Sequence, residues 1–439
     1  MLDLLVIGGG MAGLSAAAWS AERGLHVTVV EKSDQLGGSA SMAGYVWTAA
    51  SADALMSEVP GVDADMGRAL VSEIGEGVEW IQSLGVNCHK PITMLRFGRG
   101  VPVDMPGYIR ACDGVIQHSP HGKLLVSAQT ERLLLEEGAV VGAEVRPSDG
   151  SVQPLRARFT LLATGGYQND RALSAQLIHP NASAMPRRTN PHSSGDGLRL
   201  GQAAGGQFGK GGAGFYGHLI PFPLDLPDPS MFKILTMFFS EHSLLLNKSG
   251  RRFVDETVGD HLSAQAVLEQ QGGRALLVAD ELVRREWIVQ PYVDGIETGD
   301  KLGEAARRGG HYASAADLES VGEVAGGWGY DRRAVVDSIR RFNSGGLSLP
   351  RRFDARPLVE PPYHLIEVWP AITFTYGGLL TDSHGRVLDE NGVAIPGLLA
   401  AGADAGGLYV RAYAGGLAPA LVFGLRAAKM AANRAFASA

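Results

Sequence analysis

Short apolar runs separated by glycine-rich or polar breaks dominate the first forty residues. The apolar run 4–7 leads into the glycine-rich segment 8–13, an alanine-rich stretch reaches Arg23, and a second apolar run, 26–30, ends at Glu31. Short runs bounded by glycine are typical of buried strands, and the alanine-rich stretch between them is typical of a helix. The pattern therefore predicts a strand, a glycine-rich turn, a helix and a second strand with an acidic end.

The glycines of this turn have the spacing Gly-x-Gly-x-x-Gly, as Gly8, Gly10 and Gly13. The first glycine permits a tight turn, the second lets the backbone approach a pyrophosphate at the helix N-terminus, and the third lets helix and strand pack closely. Glu31 ends the second strand, where a carboxylate can accept hydrogen bonds from a ribose. A glycine-rich turn that binds nothing is the alternative, but the surrounding elements all favour a dinucleotide site.

The remaining pattern predicts a mixed α/β chain. Apolar residues on one face of 66–84 indicate a helix packed on a core. Near the C-terminus, 394–402 predicts a turn and a short buried strand, and 415–424 opens a helix that runs to the end. Four other apolar runs predict a β-meander and a return to the main sheet: 123–127, 132–135, 139–145 and 159–163.

The middle of the chain, 211–374, has a different pattern of apolar and polar residues from both ends. It contains an apolar stretch at 231–239, and helices are predicted at 315–324 and 331–342. We find no internal repeat and no second Gly-x-Gly-x-x-Gly after a strand, so we expect no domain for a nicotinamide cofactor.

Composition narrows the class of protein. The 439 residues suffice for two domains, and 59 glycines, nearly twice the usual share of about 7%, suit close backbone approaches to a ligand. The net charge of −7 with mixed signs argues against nucleic acid or an acidic membrane as a partner. Cys88 and Cys112 match no metal or haem pattern, so we expect no metal and two buried free thiols in a reducing compartment. We expect no signal peptide, no membrane segment and a cytoplasmic location.

Several short segments are spread over nearly the whole chain: 37–41, 163–166, 195–197, 250–256, 375–379, 394–402 and 415–424. In sequence and in order they resemble segments of one flavoprotein family. That family comprises fumarate reductases, succinate dehydrogenase flavoprotein subunits and 3-ketosteroid dehydrogenases.

The resemblance implies an α/β fold in which an α+β cap is inserted into a Rossmann-type FAD-binding domain with a parallel sheet and a β-meander. The FAD-binding domain would comprise 1–212 and 375–439, and 213–374 would form the substrate-capping domain. FAD would be bound non-covalently, because the loop 37–50 lacks the histidine of covalent members. Electrons would then be exchanged with an unknown donor or acceptor.

The dinucleotide motif and the resemblance together give a set of residues expected to contact FAD. The segment around Thr130 would meet the adenine ring, and the helix beginning at Leu417 would favour a reduced, anionic flavin. The family has an acid or an amide at the position of Ala403; either Asp404 would replace it after a one-residue shift, or a backbone group would suffice. The expected cofactor residues are Gly8, Gly10, Ala12, Gly13, Glu31, Lys32, Gly38, Ser39, Ser41, Gly44, Thr130, Ala163, Thr164, Gly165, Asp196, Gly402, Asp404, Leu417 and Ala418.

The positions that recognise a dicarboxylate in fumarate-reducing members are mostly changed. By resemblance, the arginine that protonates the substrate carbon corresponds to Asp260, a substrate histidine to Phe374 and the carboxylate-clamping arginine to Tyr413. Only the histidine early in the cap, His218, keeps its type. Since an apolar pocket cannot hold an unpaired dicarboxylate without a large penalty, succinate and fumarate are not the expected substrates.

The segment 412–417 is instead similar to one in ketosteroid and tricarballylate dehydrogenases. In that arrangement, the hydroxyl of Tyr413 and the backbone N–H groups of 415–416 would bind a carbonyl oxygen and stabilise an enolate. A second tyrosine, Tyr216 or Tyr376, would remove the neighbouring proton.

His218 and Arg411 are the candidates for tuning that tyrosine. Other roles stay open: Tyr376 packing near the flavin, Arg411 as a solvated residue or a carboxylate anchor, and Tyr216 and His218 as structural cap residues.

We therefore expect an FAD-dependent oxidoreductase acting on a carbon–carbon bond next to a carbonyl, with an apolar ketone as the small-molecule substrate. The apolar stretch 231–239 fits such a substrate, although a buried helix would have the same composition. One alternative is a polycarboxylate dehydrogenase or reductase anchored by Arg411 and His218. The other is a non-catalytic flavin electron-transfer subunit, for which a cap with clustered tyrosine, histidine and arginine would have no purpose.

Overall fold

The computed structural model describes residues 1–226, 231–291, 299–346 and 348–437, with the side chains of 233 and 434–437 excepted. Two compact units are present. The first comprises Met1–Leu173, Asn190–Gly214 and Phe374–Ala439, and the second comprises Ser174–Thr189 and Phe215–Thr373. Among the described residues, no helix combines the length and the apolar character needed to cross a bilayer.

A largely parallel sheet forms the centre of the first unit. Leu2–Ile7 pairs in parallel with Val27–Val30 and with Gln153–Leu162, and the helix Met11–Glu22 connects the first two of these strands. Val27–Val30 is buried throughout, as expected for a strand covered on both faces. The predicted βαβ unit is confirmed. The strand order is Arg386–Leu388, Ala394–Ala400, Gln153–Leu162, Leu2–Ile7, Val27–Val30 and Gly122–Leu125.

The β-meander contains one strand fewer than the sequence predicted. Gly122–Leu125, which the sequence assigned to the meander, pairs in parallel with Val27–Val30 in the main sheet. Gln129–Glu136 and Ala139–Arg146 form a hairpin that continues, antiparallel, into Gln153–Leu162. The local pattern identified the strand at 123–127 but carried no information about its distant partner.

The first unit also contains two small sheets and the helices that flank the main sheet. Side-chain caps fix several helix ends. Asp63, for example, accepts hydrogen bonds from the N–H groups of Asp65 and Met66. The small sheets are formed by Tyr45–Ala49, Gly98–Pro102 and Ile92–Met94, and by Leu379–Leu380 and Ala405–Gly406. The helices are Met11–Glu22, Ala52–Glu58, Ala64–Ser83, Met105–His118, Arg171–Leu177, Asp196–Ala203 and Leu417–Ala437, with 3-10 turns at Gly38–Met42 and Gly402–Asp404.

A five-stranded sheet forms the centre of the second unit. Its main path runs Gly214–Pro221, Tyr363–Tyr376, Ala275–Ala279 and Leu244–Leu246, and Tyr312–Ala315 also pairs with the long strand. Ala275–Ala279 is buried at every position and joins a continuous apolar core with Leu365 and Ile339. This core lets the unit bury a substantial apolar surface of its own.

Short helices surround this second sheet. The helices predicted at 315–324 and 331–342 are present as Leu318–Gly327 and Arg332–Asn343, and the side chains of Asp317 and Asp331 cap their N-termini. The remaining helices are Met231–Leu235, Asp260–Leu268, Glu281–Val283 and Lys301–Arg307, with a π-helical turn at Arg284–Ile288 and 3-10 turns at Pro180–Ala184, Phe238–His242, Glu256–Val258 and Gln271–Gly273.

Candidate active site

The glycine-rich turn of the first unit has the geometry that its spacing predicted. Gly8 has a φ of +109°, and a Cβ there would overlap the carbonyl oxygen of Ala163. A Cβ at Gly13 would overlap the carbonyl oxygen of Gly8. Both positions therefore require glycine because strand, turn and helix meet there without room for a side chain.

Gly10 differs from its two neighbours in the motif because space is open beside it. The nearest atom to a Cβ at this position would be 4.0 Å away. Gly10 also forms the N-cap of Met11–Glu22, and that helix end has no side-chain cap and no acidic residue in its first turn. Free N–H groups at a helix N-terminus with open space beside them form a site for an anionic group such as a pyrophosphate.

The acidic end of the second strand organises the adjacent loop. Glu31 accepts a hydrogen bond from the Gly9 N–H through Oε2 (2.7 Å) and one from the Ser33 N–H through Oε1 (2.8 Å). Each carboxylate oxygen keeps a second lone pair for another donor, such as a ribose hydroxyl. Lys32 is paired with Asp196 (2.6 Å) and also donates to Ser194 Oγ (2.7 Å), so the structure brings these two predicted cofactor residues together.

The loop 37–44 lies against the glycine-rich turn. A Cβ at Gly38 would be 3.4 Å from the Cα of Gly10, and Ser41 Oγ donates to the carbonyl oxygen of Gly38 (2.8 Å). Gly44 has no atom within 4 Å of its Cβ position. Gly38 therefore lies next to Gly10, and Gly44 has open space beside its backbone.

The end of the strand 153–162 is tied to the C-terminal part of the unit by a buried carboxylate. Asp404 accepts hydrogen bonds from the N–H and the hydroxyl of Thr164, and the same hydroxyl accepts the N–H of Gly197 (2.9 Å). Burial raises the pKa of Asp404 to about 6 even though these bonds from Thr164 favour the charged form. The predicted residues Ala163, Thr164 and Asp404 are thus neighbours, and the Asp404 carboxylate holds the protein backbone.

The two ends of the chain meet at the first helix. A Cβ at Gly402 would be 3.4 Å from the Cβ of Ala12, and a Cβ at Gly424 would overlap the carbonyl oxygen of Ala12. The helix Leu417–Ala437, which begins at the predicted residues Leu417 and Ala418, therefore packs directly on Met11–Glu22. Gly165, with a φ of +94°, follows Thr164 at the same strand end.

Two buried hydroxyls among the predicted cofactor residues have no partner within the described part of the chain. They are Ser39 Oγ and Thr130 Oγ1. A buried polar atom without a hydrogen bond is costly and therefore indicates a missing ligand group or water. With the uncapped helix end beside Gly10, these hydroxyls fit a bound dinucleotide.

An aromatic cluster surrounds Tyr413 in the first unit. Its ring lies 5.7 Å from that of Trp47, 5.9 Å from that of Phe374 and 5.5 Å from that of Tyr409. The Tyr413 hydroxyl is 3.2 Å from the Cβ position of Gly416. The structure thus brings the predicted hydroxyl and the predicted glycine backbone together.

Two further tyrosines fix this segment through their hydroxyls. Tyr409 donates to the carbonyl oxygen of Gly415 (2.6 Å), and Tyr376 donates to that of Arg411 (2.9 Å). The Tyr376 hydroxyl proton is therefore engaged with the backbone, and the Arg411 side chain is exposed. These contacts favour a supporting role for Tyr376 over the role of proton acceptor.

A separate cluster forms around His218 in the second unit. His218 Nδ1 lies 2.5 Å from Asp260 Oδ2, and both side chains are buried. The ring of Tyr216 is 4.9 Å from the His218 ring, so these two predicted residues are neighbours.

Cys88 and Cys112 are free thiols, the first half-buried and the second buried.

Sequence reasoning missed two residues of these clusters, Trp47 and Tyr409. It also missed the pairing of Asp260 with His218. Tyr409 had one usable signal, because it stands four residues before Tyr413 in the same short segment. The pairing spans 42 residues, and no local pattern connects its two partners.

The fold of the first unit, with its glycine-rich turn 8–13 and the neighbouring loop 37–44, defines an FAD-binding flavoprotein. A family model described as FAD binding domain matches residues 3–417, and the chain belongs to that family. It is an FAD-dependent oxidoreductase acting on CH–CH groups.

This chain is similar to several enzymes. A fumarate reductase (cytochrome) of Shewanella frigidimarina is 24% identical over 98% of this chain and 77% of its own length. A vinyl phenol reductase of Lactiplantibacillus plantarum is 26% identical over 92% of this chain and 90% of its own length. The solved structure of 3-ketosteroid Δ1-dehydrogenase from Sterolibacterium denitrificans has a TM-score of 0.76 at 21% identity and covers 99% of both chains.

Proposed function

We propose that this protein interconverts a saturated and an α,β-unsaturated carbonyl compound, with an apolar ketone as the substrate. The observation that carries the proposal is the Tyr413 hydroxyl beside Gly416, within the aromatic cluster of Trp47, Phe374 and Tyr409. When bound, FAD supplies the hydride donor or acceptor at N5.

Tyr413 polarises the substrate carbonyl in this proposal. Its O–H donates to the carbonyl oxygen, and a backbone N–H of the adjacent glycines donates a second hydrogen bond. Donors preorganised toward an oxygen that gains negative charge stabilise the enolate, and they act strongly where neighbouring rings exclude water. Tyr413 is 8% exposed, which satisfies this condition.

The side chains around Tyr413 favour an uncharged substrate. Phe374 and Tyr413 occupy two positions that recognise a carboxylate in fumarate-reducing relatives by resemblance, and neither residue carries a charge that could pair with one. Placing a dicarboxylate beside Trp47 and Phe374 would remove charge from water without compensation. The names of the vinyl phenol reductase and the ketosteroid dehydrogenase refer to apolar or aromatic substrates, which supports an uncharged substrate for this protein.

A polycarboxylate dehydrogenase or reductase is the second candidate. The fumarate reductase relative, which spans nearly the whole chain, favours it. In that case the exposed Arg411 and the buried His218 would anchor the carboxylates.

We also propose that residues 213–374 form a substrate-capping domain, to which the second unit adds Ser174–Thr189. The rest of 1–212, together with 375–439, would form the FAD-binding domain. The grouping of Tyr216, His218 and Asp260 within the second unit supports a substrate-binding role for the capping part. The two free thiols support a reducing compartment such as the cytoplasm.

Anaerobic mixing of the FAD-loaded protein with a substrate panel tests the proposal. The oxidised protein is mixed with 5α-androstane-3,17-dione, cyclohexanone and tricarballylate, and the dithionite-reduced protein with 4-androstene-3,17-dione, 2-cyclohexen-1-one and fumarate. We expect a ketone to bleach the visible flavin band or an enone to restore it. A response only to tricarballylate or fumarate would select the second candidate, and no response to any compound would contradict both.

A further inference from the structure

Trp47 is the most deeply buried of the six tryptophans of the chain. It is 7% exposed, whereas each of the other five keeps a larger exposed fraction. Trp47 lies in the strand Tyr45–Ala49 of the first unit. An indole ring carries a single hydrogen-bond donor, the Nε1–H group, and a buried indole usually gives that donor a partner.

The indole N–H of Trp47 has no partner within the described part of the chain. By contrast, the indole N–H of Trp80 donates to Glu22 Oε2 (3.0 Å), and that of Trp369 donates to the carbonyl oxygen of Leu224 (3.2 Å). The Nε1 atom of Trp47 is also not fully enclosed by the described residues, so its N–H borders open space. An unpartnered donor that borders open space, on a side chain more than nine-tenths buried, indicates a binding role for that donor.

Two glycines of the neighbouring strand hold the indole in place. Trp47 is paired with Gly100 across the small sheet, and Gly98 lies two residues away on the same face. A Cβ at Gly98 would be 2.9 Å from two atoms of the six-membered indole ring, and a Cβ at Gly100 would be 2.5 Å from the Cβ of Trp47. The indole therefore occupies space that side chains at these positions would take. A donor held in this way loses little freedom when it binds a ligand.

The indole lies beside the residues proposed to bind the substrate carbonyl. Its ring is 5.7 Å from that of Tyr413 at an interplanar angle of 75°, and the ring of Phe97 packs on it at 6.3 Å. A Cβ at Gly415 would be 3.4 Å from Trp47 Cδ2. All of these residues belong to the first unit. The N–H of Trp47 is therefore a neutral donor within the aromatic cluster, which suits an uncharged oxygen on an apolar molecule.

We propose that Trp47 is a further substrate-binding residue, whose indole N–H donates a hydrogen bond to an uncharged carbonyl or hydroxyl oxygen of the substrate; the inference rests on the proposed function. The indole ring contacts the apolar body of the same molecule. Trp47 thereby selects for apolar substrates that present an acceptor oxygen to it. It contributes to binding and takes no part in the transfer of hydride or proton.

Steady-state kinetics of the full, FAD-loaded chain test this role, with whichever panel compound gives the fastest wild-type flavin response. We expect Trp47→Phe to raise KM about tenfold, as for loss of one hydrogen bond, and to change kcat less than about threefold. Trp80→Phe, which removes an indole whose N–H has a protein partner, should keep the wild-type KM. Retained FAD and an unchanged melting temperature show that each variant is folded.

A third variant separates loss of the N–H from loss of the ring. In Trp47→His the imidazole Nε2–H takes the place that Nε1–H has in the five-membered part of the indole. We expect this variant to recover part of the affinity that Trp47→Phe loses. A KM for Trp47→His as high as that for Trp47→Phe would assign the effect to packing and overturn the hydrogen bond.

A second readout does not depend on turnover. In protein labelled with 15N-tryptophan, each indole N–H gives its own NMR signal, and Trp47→Phe and Trp80→Phe identify two of them. The oxidised, FAD-loaded protein is titrated with 4-androstene-3,17-dione and with 2-cyclohexen-1-one. We expect the Trp47 signal to move downfield with one of these compounds, as for an N–H that gains an acceptor, while the Trp80 signal stays in place.

The outcomes separate the two proposals. A wild-type flavin response with an unchanged KM in Trp47→Phe, or with a Trp47 signal that does not move, overturns the role of Trp47 and leaves the proposed function standing. Weaker FAD binding in Trp47→Phe at an unchanged KM would make the N–H a donor to the cofactor, which also overturns this inference. No wild-type response to any panel compound overturns the proposed function and this inference with it.

Discussion

The hydroxyl of Tyr409 donates a hydrogen bond of 2.6 Å to the carbonyl oxygen of Gly415 and thereby closes the loop that presents Tyr413. Burial raises the pKa of the Tyr409 phenol well above its ordinary value, so the donor is neutral at any pH at which the protein is handled. Gly415 itself has a φ of +95°, and a Cβ there would overlap the carbonyl oxygen of Trp47. The Tyr409 hydrogen bond and the close approach of Trp47 to Gly415 therefore both fix the conformation of this loop.

Removing the Tyr409 hydroxyl should loosen this loop. For Tyr409→Phe we expect a loss of about 1 kcal/mol of stability, the usual contribution of one buried hydrogen bond, and a fall in kcat of about tenfold because Tyr413 is less well placed. Urea unfolding and steady-state turnover measure the two effects. Tyr45→Phe, at an exposed position, is the control, and unchanged turnover in Tyr409→Phe would show that the loop needs no such bond.

Removing the Tyr413 hydroxyl should affect chemistry and not cofactor binding. We expect Tyr413→Phe to keep its FAD and its melting temperature and to lose about 100- to 1000-fold in kcat, the range found for loss of one donor to a developing oxyanion. Rapid-mixing measurement of flavin bleaching gives the rate directly. Equal rates for wild type and Tyr413→Phe would remove Tyr413 from the mechanism.

The two glycines at the start of the motif should respond differently to alanine. Gly8→Ala should fail to fold or lose most of its stability, because the new Cβ would overlap the carbonyl oxygen of Ala163 at a φ of +109°. Gly10→Ala should fold with a near-normal melting temperature but bind FAD at least tenfold more weakly, since its Cβ would occupy the open space beside the helix N-terminus. Thermal unfolding of the apoprotein and FAD titration separate the two effects. FAD affinity unchanged in Gly10→Ala would place the pyrophosphate elsewhere.

Asp404 should make the apoprotein less stable as pH rises from about 4 to about 6. Its pKa in the folded protein is about 6, above the ordinary value of 3.8, so the folded state holds the proton over this range while the unfolded state has lost it. The shift corresponds to about 3 kcal/mol, fully present as destabilisation above pH 6. Asp404→Asn should remove this part of the pH dependence, and the exposed Asp53→Asn should not. Urea unfolding at intervals between pH 4 and 7.5 measures it, and parallel curves for wild type and Asp404→Asn would contradict the assignment.

Local patterns predicted the parts of the fold that depend on neighbouring residues. The spacing of Gly8 and Gly13 identified the turn because the overlap that excludes a side chain lies within one short segment. The strand at 122–125 was found but placed in the wrong sheet, because its hydrogen bonds go to Val27–Val30.

Contacts between distant residues account for what the sequence did not predict in the candidate site. By resemblance, Asp260 stands where fumarate-reducing members have an arginine. Its hydrogen-bond partner His218 lies 42 residues earlier in the sequence, so the pairing is visible only in the folded structure. Asp404 was expected to hold the cofactor, and the structure shows its carboxylate bonded to Thr164, which a one-residue shift in a motif could not reveal.

The packing of Leu417–Ala437 on Met11–Glu22 has a consequence for how the protein is made. The glycine-rich turn is synthesised about 400 residues before the helix that covers Ala12. The first unit is therefore incomplete until that helix has been synthesised. The second unit, which has its own core, can fold before the first unit is complete.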